Sequence, residues 1–190
     1  PVKIPEGGED LSLRFITCPR NMYHRYYNVF CNPLLWFLQH GMWDRSRSPN
    51  VDHVIYSAWE KGYQPMNELF AGAVIEEVRR SQAPPLVFLN DYHLYTAAAH
   101  IRAALPKQVI QIFVHIPWPS PSSWQLLPAW MREPIIRSLC ACDIVGMQTE
   151  RDVQSFLSCC RAFIKEAEID HNQDEVCVGG HTARVRAYPV

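Results

Sequence analysis

Three polar clusters in this sequence each follow a short apolar run rich in branched residues. They are NDYH (90–93) after PLVFL (85–89), His115 after VIQIFV (109–114), and QTE (148–150) after CDIVGM (142–147). A carboxylate, an imidazole and a phenol together offer acceptors and donors to a ligand. Asp91 runs directly into a helix start and reads equally as a ligand-binding carboxylate or an N-cap. Tyr92 and His93 read equally as packing residues. His115 precedes Ile-Pro, which holds it extended, and reads either as a histidine facing a ligand edge or as a satisfied structural one. Pro117, Pro119 and Pro121 make the following loop rigid. No nucleophile elbow, zincin spacing or phosphate-binding P-loop occurs, and Gly7 and Gly8, which follow no strand and open no helix, read as a flexible start.

The elements that must position these clusters are legible from periodicity. From Leu86 onward, short branched runs alternate with longer helical stretches, the pattern of strand-helix units on a parallel sheet. It predicts strands at 85–89, 109–114 and 142–147, and helices from about Leu94 to Ala104 and from about Ser123 to Leu139. Thr149 caps a further helix, with Asp152 in a box-like position and Val153, Phe156 and Leu157 facing inward. A last strand is expected at 184–188 after a hairpin bent at Gly179 and Gly180. In such sheets ligands bind beyond the carboxyl ends of the strands, where all three clusters lie.

Upstream, LSLRFIT (11–17) alternates like a half-buried strand. Asn32 followed by Pro33 predicts a helix start, with Gly41 as its stop. SRSPN (46–50) breaks the chain before a long amphipathic helix, whose Trp59, Tyr63, Met66, Phe70, Val74 and Val78 form a core stripe.

The chain has 190 residues, of which 48% are apolar, enough for one domain with a real core. Its 18 basic and 19 acidic residues leave no field that nucleic acid or an anionic membrane would select. No window reaches the roughly 18 to 20 apolar residues of a membrane helix, and the start lacks signal-peptide order. A soluble, cytoplasmic protein is expected. The 7 cysteines are scattered and read as reduced, buried thiols; Cys140 and Cys142 lack the second pair that a metal site needs.

The collinear blocks VFLNDYHL (87–94), IFVHIPWPS (112–120), LLPAWMREPIIRSL (126–139), DIVGMQTERD (143–152) and YPV (188–190) resemble the trehalose-6-phosphate synthase family. YYNVFCNPLLW (26–36) and the spacing of Trp59, Tyr63, Met66, Asn67, Phe70 and Ala71 match its preceding segments. The resemblance implies an α/β fold: a Rossmann-like parallel sheet with flanking helices, one half of a two-domain GT-B glycosyltransferase. Residues 1–190 then form the N-terminal, acceptor-side domain, expected to lack the family's first strand and glycine-rich loop and the C-terminal nucleotide-binding domain.

It further implies transfer of glucose from UDP- or GDP-glucose to glucose 6-phosphate with retention, giving trehalose 6-phosphate. No metal or other cofactor is implied beyond the sugar-nucleotide co-substrate. By resemblance Tyr27, Trp36, Asp91 and Tyr92 bind the acceptor, and His115 contacts the transferred glucose, with Asp91 and His115 the catalytic pair. Expected partners are the sugar phosphate, the sugar nucleotide and the C-terminal domain, with neither nucleic acid nor membrane; a homo-oligomer is compatible with the sequence. Two departures stand out: the family's usual histidine before the aspartate is Asn90, and HIPFP has become HIPWP. They leave open a relative with another acceptor, such as a glucosylglycerol-phosphate synthase or a cyclitol pseudo-glycosyltransferase. A non-catalytic sugar-phosphate-binding or regulatory module is the rival from another class.

On spacing alone, Tyr27 and Trp36 would fall on opposite sides of one straight α-helix, nine residues apart. The expected break at Asn32-Pro33 removes that conflict.

Overall fold

A computed structural model describes residues 2–6, 9–42 and 51–189. The expected flexible start at Gly7 and Gly8 and the break at 46–50 lie outside the described residues. Strands β1 (Val2–Glu6) and β2 (Glu9–Leu13) form an antiparallel pair. The expected strand over 11–17 therefore stops at Leu13.

A continuous helical run follows: α1 (Arg20–Tyr23), a π-helix (His24–Trp36) and α2 (Phe37–Gln39). Asn32 and Pro33 do not start a helix as expected; Pro33 lies inside the π-helix. A proline ring in an α-helix strikes the carbonyl four residues back, and the wider π winding accommodates it. Gly41 ends the run at φ 67°, the left-handed stop expected of it.

The long amphipathic helix is built of α3 (His53–Ala58), a π segment (Trp59–Tyr63) and α4 (Gln64–Arg80). Trp59, Tyr63 and Met66 of its stripe are buried, and Phe70, Val74 and Val78 pack against the core.

The strand-helix units then run β3 (Val87–Asn90), a 3-10 turn (Tyr92–Leu94), α5 (Ala97–Ala104), β4 (Ile110–Phe113), α6 (Pro121–Trp124), α7 (Ala129–Leu139), β5 (Ile144–Met147) and α8 (Glu150–Phe163). Strands β6 (Glu168–Asp170), β7 (Glu175–Val178) and β8 (His181–Ala187) close the chain, with both glycines of the last hairpin at positive φ. The helix expected over 123–139 is two helices, because the chain bends between Trp124 and Pro128.

The main sheet has six strands in the order β3-β4-β5-β8-β7-β6. β3, β4, β5 and β8 are mutually parallel, and β8, β7 and β6 form an antiparallel flank. This is the expected Rossmann-like α/β fold with flanking helices. The register Asn90↔Phe113↔Gly146 brings the exits of β3, β4 and β5 level at one edge. The opposite edge is held by Arg102, whose guanidinium donates to Asp143 Oδ2 at 2.8 Å and to the carbonyls of Pro106, Gln108 and Ala141. That same Asp143 oxygen accepts from the Ile110 N–H, so one partly exposed pair ties together the starts of β4 and β5.

The π-helix reaches the sheet edge only because Gly62 lets the segment beside it approach closely. A Cβ at Gly62 would stand 2.6 Å from Arg25 Cβ and 2.7 Å from the Tyr26 nitrogen, and backbone cannot yield as a flexible side-chain tip does. Gly62→Ala is expected to cost about 1–3 kcal/mol, the usual range for overpacking. Chemical denaturation checks this, and a variant as stable as the parent contradicts the close approach.

Candidate functional site

The exit of β3 is an unusual piece of backbone. Asp91 has φ 65° and ψ −179°, a region that side chains other than hydrogen rarely adopt. Its N–H donates to the Phe113 carbonyl at 2.8 Å, which keeps it attached to β4 as the chain turns. The Asp91 side chain does not cap the following turn. Instead Oδ1 accepts from the His115 N–H at 3.2 Å, joining the exits of β3 and β4.

Strain of this kind persists only where the surroundings over-determine it. Here the next two carbonyls are gripped from the helices. The Tyr63 hydroxyl donates to Tyr92 O at 2.7 Å and accepts from the Tyr95 N–H at 3.3 Å. Tyr26 Oη at 3.1 Å and Asn67 Nδ2 at 3.0 Å both donate to His93 O. Tyr63 is fully buried, and burial pushes its hydroxyl well above the ordinary range, so it stays protonated and able to donate.

The loop after β4 is held as firmly. Asp152 accepts from the Trp118 N–H at 2.9 Å and from the Thr149 hydroxyl at 2.6 Å, while Thr149 caps α8 by accepting from the Asp152 N–H. The Trp118 ring is buried among Tyr95, Trp124 and Phe156, with Nε1 on Cys159 Sγ at 3.4 Å.

The sequence-predicted residues gather as follows. His115 is exposed at the β4 exit, its ring edge-on to Phe113, and its Nε2 lies 2.9 Å from Asn90 Oδ1. With that oxygen as acceptor, Nε2 carries a proton, and Nδ1 is left facing away from Asn90. The His115 carbonyl accepts from Gln148 Nε2 at 3.3 Å, which ties in the β5 exit.

Tyr92 is buried, its hydroxyl donating to Asn32 Oδ1 at 2.8 Å, and it shares a recess of about 290 Å3 with Asn32, Pro33, Trp36 and Phe37. Burial and then the Asp91 charge push its hydroxyl up to about 12. Tyr27 is half-exposed and stacks on His93 with ring centres 5.5 Å apart. The π winding resolves the geometry of Tyr27 and Trp36: with i→i+5 bonding, nine residues make about two turns and return to one side. Both rings therefore border the 92–93 turn, Tyr27 through His93 and Trp36 through Tyr92.

Sequence reasoning missed the clamp of Tyr26, Tyr63 and Asn67 and the anchor Asp152–Trp118. The only signal for the clamp was Tyr63, on a stripe read as core packing, with Asn67 four residues further on. All seven cysteines are free, and burial holds the Cys142 and Cys160 thiols above their ordinary range. Among the described residues no group of three or more His, Cys, Asp or Glu is placed to hold a metal ion, and no helix is long and apolar enough to cross a membrane.

Residues 3–190 match the family model described as Glycosyltransferase family 20. The chain is 27% identical over 184 residues, 97% of its length and 37% of the relative's, to a validamine 7-phosphate valienyltransferase of Streptomyces hygroscopicus. It is 36% identical over 143 residues, 72% of its length and 27% of the relative's, to an alpha,alpha-trehalose-phosphate synthase [UDP-forming] of Aspergillus niger. Among solved structures it resembles the trehalose-6-phosphate synthase OtsA with a TM-score of 0.74 and 26% identity, covering 90% of this chain and 34% of that one. A further one, from E. coli and bound with UDP-2-fluoro glucose, has a TM-score of 0.75 at 26% identity, covering 90% and 35%. The chain thus spans between about a quarter and two fifths of the length of these relatives.

One titration follows from the site. His93 is half-buried, its Nε2 is buried without a hydrogen-bond partner, and burial lowers its pKa below the ordinary 6.5, with Asp91 opposing in part. The folded state therefore favours neutral His93. Above the ordinary value neither state is protonated and nothing changes; below it the unfolded chain takes the proton first, so stability is lost as pH falls through the lowered folded pKa. Denaturation followed from pH 7.5 down to about 5 should show a fall that is shallower in His93→Gln. Equal slopes in the two proteins contradict the assignment.

Proposed function

The chain belongs to glycosyltransferase family 20, and from that premise we propose that it forms the acceptor-side half of a retaining hexosyltransferase that makes trehalose 6-phosphate from glucose 6-phosphate and UDP- or GDP-glucose. The observation that carries the reading is the cross-linked strand edge: Asp91, His115 and Gln148, from three different exits, are joined directly by hydrogen bonds beside the recess of Trp36 and Tyr92. Similarity to trehalose-phosphate synthases and to a structure bound with UDP-2-fluoro glucose supports a sugar-phosphate acceptor and a sugar-nucleotide donor.

In this reading Trp36 gives an apolar ring face to the acceptor sugar and Tyr27 gives a hydroxyl to its phosphate. Asp91 bonds His115 through Oδ1, and its second oxygen accepts from an acceptor hydroxyl. His115, steadied through Nε2 by Asn90, meets a hydroxyl of the transferred sugar through Nδ1. None of these groups is a convincing covalent nucleophile, which fits a displacement on one face of the sugar. Catalysis is then positioning plus electrostatic help to the leaving diphosphate, the latter from basic groups of a nucleotide-binding domain. By itself the 190-residue chain is expected to be inactive as a transferase.

A second reading keeps the chemistry and changes the acceptor to a cyclitol phosphate. The specific observation favouring it is the alignment with a validamine 7-phosphate valienyltransferase over 97% of the chain.

The test is kinetic, on a two-domain enzyme containing this chain. His115→Ala is expected to lower turnover about a hundred- to a thousand-fold, the 2.7–4 kcal/mol of a hydrogen bond lost from a transition state, with the fold intact. Asp91→Asn is expected to raise the acceptor Michaelis constant more than the donor's. A folded His115→Ala enzyme with near-parental turnover overturns the assignment.

A further inference from the structure

An indole face receives a sugar ring well only if it already stands still, because a side chain ordered at the moment of binding subtracts that ordering from the affinity. Two neighbours touch the half-buried ring of Trp36. Phe37 meets it edge-on, with centres 5.0 Å apart and planes at 70°. His40 lies closer, at 4.1 Å and 34°, a tilted contact of face on face. The recess beside Tyr92 is lined by Trp36 and Phe37 and not by His40, so the imidazole backs the indole from the side away from the recess.

His40 is itself tied down by the residue it supports. Its Nδ1 lies 2.7 Å from the Trp36 carbonyl. A carbonyl only accepts, so Nδ1 carries a proton whatever the state of Nε2. The His40 backbone N–H donates to the same carbonyl at 3.1 Å. Trp36 O thus takes two bonds from one residue, and backbone, imidazole and indole close into a single local unit. The helical run stops directly behind it: the Gly41 N–H donates to Leu38 O at 3.2 Å and the Met42 N–H to Phe37 O at 3.0 Å. That closing turn sets His40 at φ −77° and ψ 1°, from where its side chain folds back over the preceding turn.

A histidine at a helix end can serve the last carbonyls and nothing else, a role that concerns stability alone. The face contact with Trp36 gives this one a second role. We infer that His40 is the positioning residue of the acceptor subsite: backed by its imidazole, the indole of Trp36 keeps its free face toward the recess and so sets the affinity for the acceptor sugar. The inference rests on the reading of Trp36 as the acceptor's platform, and it leaves the donor side untouched.

Kinetics of the two-domain enzyme containing this chain, with glucose 6-phosphate as acceptor and UDP-glucose as donor, test it. His40→Ala is expected to raise the acceptor Michaelis constant about tenfold while turnover and the donor's constant stay within about twofold. His40→Asn carries a donor at the Nδ1 position without the ring, and His40→Phe a ring without the donor; each is expected to raise the acceptor constant about threefold. These two decide the matter where His40→Ala fails to fold. The readout that a merely structural histidine would not move is the coupling: with Trp36→Ala already in place, His40→Ala should change the acceptor constant no further. In the 190-residue chain, His40→Ala should also shift the NMR signal of the Trp36 indole N–H while those of Asp91 and His115 stay in place, a readout that needs no substrate.

An acceptor constant unchanged in the His40 variants, when Trp36→Ala raises it, overturns the inference and leaves the platform standing. So does an equal rise with and without Trp36, or an equal rise in the donor's constant. An indole signal unmoved by His40→Ala overturns it whichever acceptor the enzyme takes. An acceptor constant unmoved by Trp36→Ala overturns the platform reading, and this inference with it.

Discussion

Two main-chain carbonyls, those of Tyr92 and His93, turn away from the sheet toward the helices, and how they are satisfied decides where the site can be. Tyr63, Tyr26 and Asn67 supply the donors, from a π segment, a π-helix and α4 respectively. Each such bond is worth only about 0.5–1.5 kcal/mol net, but leaving a buried partner unmet costs about 1–3 kcal/mol, so the arrangement is locked more by the penalty of breaking it than by its gain. That lock is what allows Asp91 to keep a backbone conformation costing on the order of 1–3 kcal/mol, with its carboxylate turned across to His115 instead of down onto the next turn.

The π winding beside the site follows from the same constraint. Tyr26 must deliver its hydroxyl to His93 O while its neighbour Tyr27 stacks on the His93 ring, and Trp36 must reach the same turn nine residues later. An α-helical pitch would put Tyr27 and Trp36 on opposite sides; the wider winding returns them to one side and accepts Pro33 on the way. The β4 exit is set independently by Asp152, which holds the Trp118 N–H and thereby aims His115 from behind. Three loops held from behind and bonded to one another form a preorganised edge, the condition under which positioning catalysis is effective.

Much of this was legible in the sequence where the signal is local. Branched runs marked β3, β4 and β5, Thr149 marked the start of α8, and the paired glycines marked the final hairpin, because each depends on neighbours within a few residues. The positions of Asp91 and His115 at the exits of β3 and β4 were likewise visible, since each follows an apolar run directly. What failed was set at a distance. Asn32-Pro33 carries the local signature of a helix start, but the path of its helix is fixed by contacts with Tyr92 and His93 some sixty residues on. Two of the three clamp side chains lie on the long amphipathic helix, whose buried rings hide their polar tips, Tyr63 Oη and Asn67 Nδ2, and the third, Tyr26, lies on the π-helix. Periodicity reports that such residues face inward; it carries no information about which carbonyl they meet.

The central claim is that the buried clamp, acting through the Tyr92 and His93 carbonyls, sets the geometry of Asp91 and His115. Tyr63→Phe removes one hydroxyl that serves both Tyr92 O and the Tyr95 N–H, and little else. Amide NMR shifts and hydrogen exchange across the chain measure its effect directly. The account predicts changes concentrated at residues 91–95 and at His115, loss of protection at Tyr95, and a stability loss of about 1–3 kcal/mol with the sheet intact. Unchanged signals at Asp91 and His115 in a variant that has lost that bond would show that the strand edge holds its shape without the clamp, and would contradict the claim.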